Sequence, residues 1–296
     1  MRIINKFGGE IIENPRLVKL AVRRIKEQLE RNQKPVVVVS ALAGITDKLG
    51  ELGSKKDQKI FAQIIKEHEK WIKIHNLENE NLRRKAENLK KELENDLMKV
   101  KENKESLSLK DKILAYGEKW SSLLFTQLLV RNEIEAELIR GEELIITDEN
   151  FGDANILYQE SLRNIKSKLK NISQLPVISG FIGKSKHGKT TTLGRGGSDT
   201  TACLVCAALK PSKVILWKNV PGVLSADPKI VKNPRLVKFL TYEEAEESGK
   251  VIHQKAIGLV KERGVEIEVV YIMNPEQKTT VGKKNNAPKK KEFIGV

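Results

Sequence analysis

Cysteine is nearly absent from this 296-residue chain: there are two, Cys203 and Cys206. Their C-x-x-C spacing admits a redox or metal pair, but no second pair exists. Both lie in an apolar helical run, which makes them buried, reduced core residues. Long hydrophobic runs are missing too, so nothing spans a membrane, and Met1 to Gly9 lacks the apolar core of a signal peptide. A soluble cytoplasmic protein is expected. Aromatic residues are scarce, at 5%. The 54 Lys and Arg outnumber 39 Asp and Glu, for a net charge of +15, which raises the question of nucleic-acid binding. The basic residues alternate with Glu along helical stretches and do not gather with aromatics. They read as a solvated, heat-adapted surface that can also draw in anionic substrates such as nucleotides.

What is present centres on Thr190 to Thr201, Thr-Thr-Thr-Leu-Gly-Arg-Gly-Gly-Ser-Asp-Thr-Thr. Three glycines flank Arg195, and an apolar helical run follows Ser198-Asp199, either of which suits an N-cap. Glycines admit a ligand close to backbone N–H groups, and the guanidinium fork suits a carboxylate or phosphate. The stretch reads as an anion-handling loop or as an ordinary loop before a buried helix.

Along the chain, Arg2 to Phe7 reads as a strand ending in Lys6-Phe7-Gly8-Gly9, a phosphate-approach turn before a helix over 14–31. Pro35 to Ser40 is a β-branched run typical of a buried parallel strand. It delivers Ser40 and Thr46 to a strand's carboxyl end, where open α/β sheets bind ligands. Residues 51–106 show amphipathic helical spacing, an excursion from the main sheet with a solvated charged face. A helix over 111–132 carries Glu118 in its early turns, suited to an ammonium or to the positive end of a helix. Residues 134–139, 176–181, 213–218 and 265–271 read as strands, and 241–249 as a short helix. The turns through Val220-Pro221-Gly222 and Asp227-Pro228 make a setting for adenine or ribose, and Lys250 is a candidate phosphate contact. Gly183 to Thr190 satisfies the pattern G-x-x-x-x-G-K-[ST], yet Thr190 to Leu193 is β-prone where a phosphate loop needs a helix. A hairpin whose lysines, Lys184, Lys186 and Lys189, and His187 face water is expected.

Taken in order, Lys6 to Gly9, Val38 to Ala41 with Gly44 to Thr46, Gly117-Glu118, Thr147-Asp148 to Phe151-Gly152, Gly180 to Gly183, Thr190 to Asp199, Val220 to Gly222 with Asp227-Pro228, and Lys250 to His253 resemble the catalytic domain of aspartate kinases, within the amino acid kinase family. The resemblance covers nearly the whole chain, and the Thr190 to Asp199 run is its most specific part. It implies an α/β fold, a three-layer α/β/α sandwich around a mostly parallel sheet. The catalytic domain would be 1–282, with an amino-acid-binding lobe over about 1–200, a nucleotide-binding lobe over about 201–282, and a basic tail over 283–296. It implies ATP-dependent phosphorylation of the L-aspartate side chain to 4-phospho-L-aspartate, the first step towards lysine, threonine and methionine. By the same resemblance Lys6 neutralises the transferred phosphoryl group and Asp199 organises the transfer site. Glu118 holds the substrate ammonium and Arg195 its α-carboxylate, with Ser40, Thr46 and Ser198 completing the pocket. Gly8 and Gly9 approach the phosphates. Lys218, Asn219, Leu224, Lys229 and Lys250 occupy nucleotide-contact positions. Magnesium would ride on the ATP phosphates, with no protein metal cage. A homodimer is expected, without nucleic-acid or membrane partners. The regulatory domains common in the family are not found after the catalytic domain, so direct lysine or threonine inhibition is not expected, and a separate regulatory subunit is an option.

Several positions depart from the usual pattern. Glu10 stands for Thr, Lys218-Asn219 for Thr-Asp, Leu224 for Tyr, Lys229 for Arg and Gln254 for Pro. The alternatives are a kinase of another small acceptor such as homoserine, with Asp199 as base, and a catalytically silent binding partner.

Overall fold

The computed structural model describes residues 2–55, 57–102, 106–209, 213–226, 230–248 and 252–283. Strand β1 (Arg2–Phe7) is apolar on both faces: Ile3 and Phe7 enter one core cluster and Ile4 another. Such a strand needs cover on both sides, which helices flanking a parallel sheet supply. Next come α1 (Gly9–Glu13), α2 (Pro15–Glu30) and β2 (Lys34–Val39). A helical stretch follows: α3 (Ile45–Lys55), α4 (Gln58–Ile74), α5 (Glu80–Glu102), α6 (Leu107–Leu114) and α7 (Tyr116–Arg131). The chain continues through β3 (Ala136–Ile139), α8 (Gly141–Leu144), β4 (Ile146–Thr147), α9 (Tyr158–Lys170), β5 (Leu175–Ser179), β6 (Ile182–Ser185), β7 (Thr190–Thr192) and α10 (Gly197–Leu209). It then forms β8 (Lys213–Lys218), β9 (Val223–Leu224), β10 (Leu236–Val237), β11 (Phe239–Thr241), α11 (Tyr242–Ser248), α12 (Gln254–Lys261), β12 (Glu266–Tyr271) and β13 (Lys278–Gly282).

Eight strands form one sheet in the order β11-β13-β12-β8-β1-β2-β5-β3. Neighbours from β12 to β3 run parallel, and only β13 against β12 is antiparallel. The first strands build outward from β1 on one side and the later ones from β8 on the other. Strand order therefore reverses between β1 and β8, which opens a crevice at their carboxyl ends. Ile11, Leu17, Ile45, Ile64, Leu93 and Leu124 from α1 to α7 pack on one face. Leu144, Ile165, Leu204, Tyr242 and Ile257 from α8 to α12 pack on the other. This is the expected three-layer α/β/α arrangement. Among the described residues no helix is long and apolar enough to cross a membrane.

The helical excursion is fastened to the sheet layer. The Trp71 indole N–H donates to the Ile12 carbonyl at 2.7 Å, and Leu82, Leu89 and Leu93 share a core cluster with β1. The helix expected over 14–31 starts at Pro15, and a separate short helix precedes it. The Asn14 side chain accepts from the backbone N–H of Arg16 and Leu17, and Pro15 presets the first turn. Likewise 111–132 divides at Ala115 into α6 and α7. Helix α10 begins at Gly197, so Ser198 and Asp199 lie inside its first turn and neither is the N-cap. The carboxylate of Asp199 is drawn instead to lysines on the sheet. The P-loop-like stretch is a hairpin: β6 and β7 pair antiparallel, with Gly188 at φ +82° in the turn. Lys186, His187 and Lys189 are exposed, whereas Lys184, inside β6, is half-buried; Lys186 pairs with Glu160 and Lys189 with Glu149, and His187 Nδ1 lies 3.0 Å from Glu149. Cys203 and Cys206 are buried and unbridged. Burial raises both thiols, that of Cys206 to about 12.

Candidate active site

The crevice receives side chains from six places in the chain. Lys6 arrives from the end of β1, because alternation in that strand sends Ile4 and Lys6 to the α10 side. The first turn of α10 brings Ser198 and Asp199, both buried. The loop after β2 supplies Ser40, and the first turn of α3 supplies Thr46. Glu118 comes from the first turn of α7, and Arg195 from the glycine loop. Together with Gly9, Glu10, Phe181 and the loop 41–44, they line one cleft of about 390 Å³.

Lys6 Nζ lies 2.8 Å from Asp199 Oδ1, with both side chains 9% exposed. Lys218, at the end of β8, places its Nζ 3.7 Å from Oδ2 of the same carboxylate. Burial works to raise Asp199, but the charges of Lys6 and then Lys218 outweigh it and hold the carboxyl below its ordinary range. Glu118 is ion-paired with no cation among the described residues. One oxygen accepts the Ala41 N–H at 3.1 Å, and Oε2 is buried without a partner among the described residues. Burial pushes this carboxyl up to about 8, against the opposing pull of that hydrogen bond and of Lys6. A carboxyl that lines a cleft and keeps one oxygen unsatisfied is suited to a cationic group. Arg195 is exposed and has no carboxylate partner among the described residues, so its fork is free for an anion.

Gly9 and Gly196 are among the glycines that sterics require here. A Cβ on Gly9 would lie 2.5 Å from the Ala41 carbonyl oxygen and 2.9 Å from the Ala43 nitrogen, so only Gly lets α1 start against this loop. Gly196 has φ +74°, and its Cβ would meet His253 Cβ at 2.4 Å. Gly8 is different. A Cβ there would make only ordinary contact with Lys6 Nζ, and its carbonyl accepts from Ile11 and Ile12 as α1 begins.

The structure thus gathers Lys6, Gly9, Ser40, Thr46, Glu118, Arg195, Ser198 and Asp199 around one cleft, with Gly8 and Lys218 adjoining. Asn219 is exposed just past β8, and Leu224 is half-buried in β9, paired with β10; neither lines the cleft. Lys229 and Lys250 lie outside the described residues. Two contributors were not anticipated. Phe181 lines the cleft at φ +67°, and its N–H donates to Thr201 Oγ1 at 3.1 Å. A phenylalanine gives no sequence signal for a left-handed backbone. Asp111 is buried and accepts the N–H groups of Gly152 and Thr192, fastening the 151–153 loop to β7 beneath the glycine loop. At a helix start, an aspartate reads only as a terminal charge.

Such a site defines an α/β protein that can hold an anion at the crevice between β1 and β8 and a small zwitterion beside it. Residues 1–271 match the model of the Amino acid kinase family, and the chain belongs to that family. Over 288 residues it is 30% identical to the aspartokinase of Rickettsia prowazekii (strain Madrid E), covering 94% of this chain and 54% of that one. Over 272 residues it is 29% identical to aspartokinase 1 of Bacillus subtilis (strain 168), covering 90% and 57%. Among solved structures, E. coli aspartokinase III in complex with aspartate and ADP (R-state) superposes with a TM-score of 0.86 at 25% identity, over 97% of this chain and 66% of that one. The aspartate kinase of Clostridium acetobutylicum gives 0.79 at 26% identity, over 97% and 64%. The chain spans between about half and two thirds of the length of these relatives.

Proposed function

We propose that this chain carries the catalytic unit of an aspartate kinase, moving the terminal phosphoryl group of ATP to the side-chain carboxylate of L-aspartate. The observation that carries this reading is that Lys6, Asp199, Glu118 and Arg195 line a single cleft, with Glu118 Oε2 and the Arg195 fork left without a partner among the described residues. Glu118 takes the substrate ammonium and Arg195 its α-carboxylate. Ser40, Thr46 and Ser198 supply neutral hydrogen bonds, which leaves the side-chain carboxylate directed at Lys6. Lys6 neutralises charge as the phosphoryl group passes, and Asp199 fixes its position. Gly8 and Gly9 let the phosphates approach. The nucleotide lies along the ends of the later strands, past Lys218, Asn219 and Leu224, with Lys229 and Lys250 as further contacts. The amino acid is thus held by the 1–200 portion and the nucleotide by 201–282.

The acceptor decides how much acid–base chemistry is needed. A carboxylate is ionised at neutral pH and asks for no general base. A hydroxyl acceptor such as homoserine would need one. Asp199 is held by two lysines and below its ordinary range, which makes it a poor base and favours the carboxylate acceptor. Among the described residues no three His, Cys, Asp or Glu side chains are grouped to hold a metal ion. With Asp199 committed to lysines, magnesium would be bound chiefly by phosphate oxygens and water. The same reading extends to a cytoplasmic homodimer, with a separate regulatory subunit as an option, checked by light scattering of the purified protein.

ADP release with ATP, magnesium and a panel of aspartate, homoserine, glutamate and carbamate tests the proposal. Turnover should depend on aspartate. Lys6→Ala and Arg195→Ala should each lower kcat/KM by about a hundredfold or more. Aspartate-dependent turnover that survives both changes would overturn the site assignment.

A further inference from the structure

Strand order reverses between β1 and β8, and each of these neighbours carries a lysine at its carboxyl end. Lys6 pairs with Leu216, which sets Lys218 two residues further along, at the lip of the crevice. There its Nζ takes Asp199 Oδ2 at 3.7 Å while Lys6 takes Oδ1 at 2.8 Å. Two ammonium groups on one buried carboxylate leave a positive charge in excess, and a compact ammonium is suited to a phosphate oxygen. The position also argues against the base or ribose as its target. Lys218 Nζ adjoins the cleft through the carboxylate that also holds Lys6, on the phosphoryl side of the crevice, whereas Asn219 is exposed past the strand end and Leu224 sits in β9 against β10. Burial, and then the nearby Lys6 charge, lower Lys218 from the ordinary lysine value, while Asp199 opposes them. An arriving anion relieves that tension. Glu10, on the cleft wall, is the other charge that acts favourably on Lys218. The two side chains are of opposite charge and act on each other.

We propose that Lys218 is a further phosphate-contacting cation of this chain, gripping the polyphosphate of the nucleotide and not its base or ribose, with Glu10 as its counter-charge. The proposal rests on the nucleotide reading above. Calorimetric titration of the full chain with ATP, inorganic tripolyphosphate and adenosine tests it, in wild type, Lys218→Met, Lys218→Arg and Glu10→Gln. Lys218→Met should weaken ATP and tripolyphosphate by about ten- to a hundredfold and leave adenosine unchanged. Lys218→Arg should recover most of the tripolyphosphate affinity. Glu10→Gln should tighten tripolyphosphate by about two- to fivefold. A loss of adenosine with tripolyphosphate unchanged, an equal loss of both, or no change in Lys218→Met overturns the assignment, and an unchanged Glu10→Gln removes the counter-charge. If wild type binds none of the three ligands, the nucleotide reading fails, and the proposal with it.

Discussion

Glu118 combines a buried carboxyl with an oxygen that nothing satisfies, and its protonation should register ligand binding directly. With its folded value near 8 against an ordinary 4.5, the folded protein holds this proton more tightly than the unfolded chain does. The resulting stability is complete below the unfolded value and is lost as pH rises through about 8. Denaturant midpoints should therefore show a falling contribution between those limits that Glu118→Gln removes. An ammonium placed on Oε2 favours the ionised form, so aspartate binding near neutral pH should release a proton. Calorimetry in buffers of different ionisation enthalpy measures that release, and Glu118→Gln should abolish it. The sequence shows a glutamate early in a helix. It does not show that the residue is 3% exposed or that Ala41 satisfies only one of its oxygens.

At the scale of the element, the hairpin β6–β7 separates a pattern match from its physics. The lysine of the G-x-x-x-x-G-K-[ST] stretch, Lys189, pairs with Glu149 on an exposed turn, and no helix follows it. Lys189→Ala should leave ATP affinity within about twofold of wild type, since exposed ion pairs contribute little. A true phosphate-loop lysine would cost far more. Helix α4 carries a different liability. His68 is fully buried, and the 2.8 Å contact of Nδ1 with the Ile64 carbonyl places the proton there, leaving Nε2 without a partner near Trp120. Burial lowers this histidine to about 4, so the folded protein binds fewer protons than the unfolded chain below the ordinary value of 6.5. Its contribution to stability is lost as pH falls from 6.5 through 4, opposite in sign to that of Glu118. Hydrogen-exchange protection factors along α4, which remove the intrinsic pH dependence of amide exchange, should fall over that interval, and His68→Phe should suppress the fall. Elements with strong periodicity were legible: β1 and β8 have the boundaries expected from their apolar runs. The eight-residue α12, interrupted by Gly258, and the Thr-rich β13 were not, because each is stabilised mainly by packing against α10 and β12.

For the molecule as a whole, the excess of 15 positive charges is a field and not a fold determinant. Association with anionic nucleotides should slow as salt rises, because screening shortens the reach of that field to about 8 Å at physiological ionic strength. Stopped-flow rates at two salt concentrations check this. Gel-shift titrations at the same concentrations should show no steeply salt-dependent nucleic-acid complex, which would require many lysines on one phosphate track.

The residues themselves determined the alternation of buried strands and amphipathic helices, the hairpin in place of a phosphate loop, and the family pattern around Arg195. Those follow from local periodicity, turn chemistry and residue type, which a linear chain expresses directly. Only the assembled sheet decided that Lys6 and Lys218 share Asp199, that Glu118 is left an orphaned oxygen, and that Gly9 admits no side chain. Each of these depends on which strands become neighbours and how deeply a group is desolvated. Proximity across nearly two hundred residues and the dielectric around a carboxyl are properties of packing, and no stretch of sequence carries them alone.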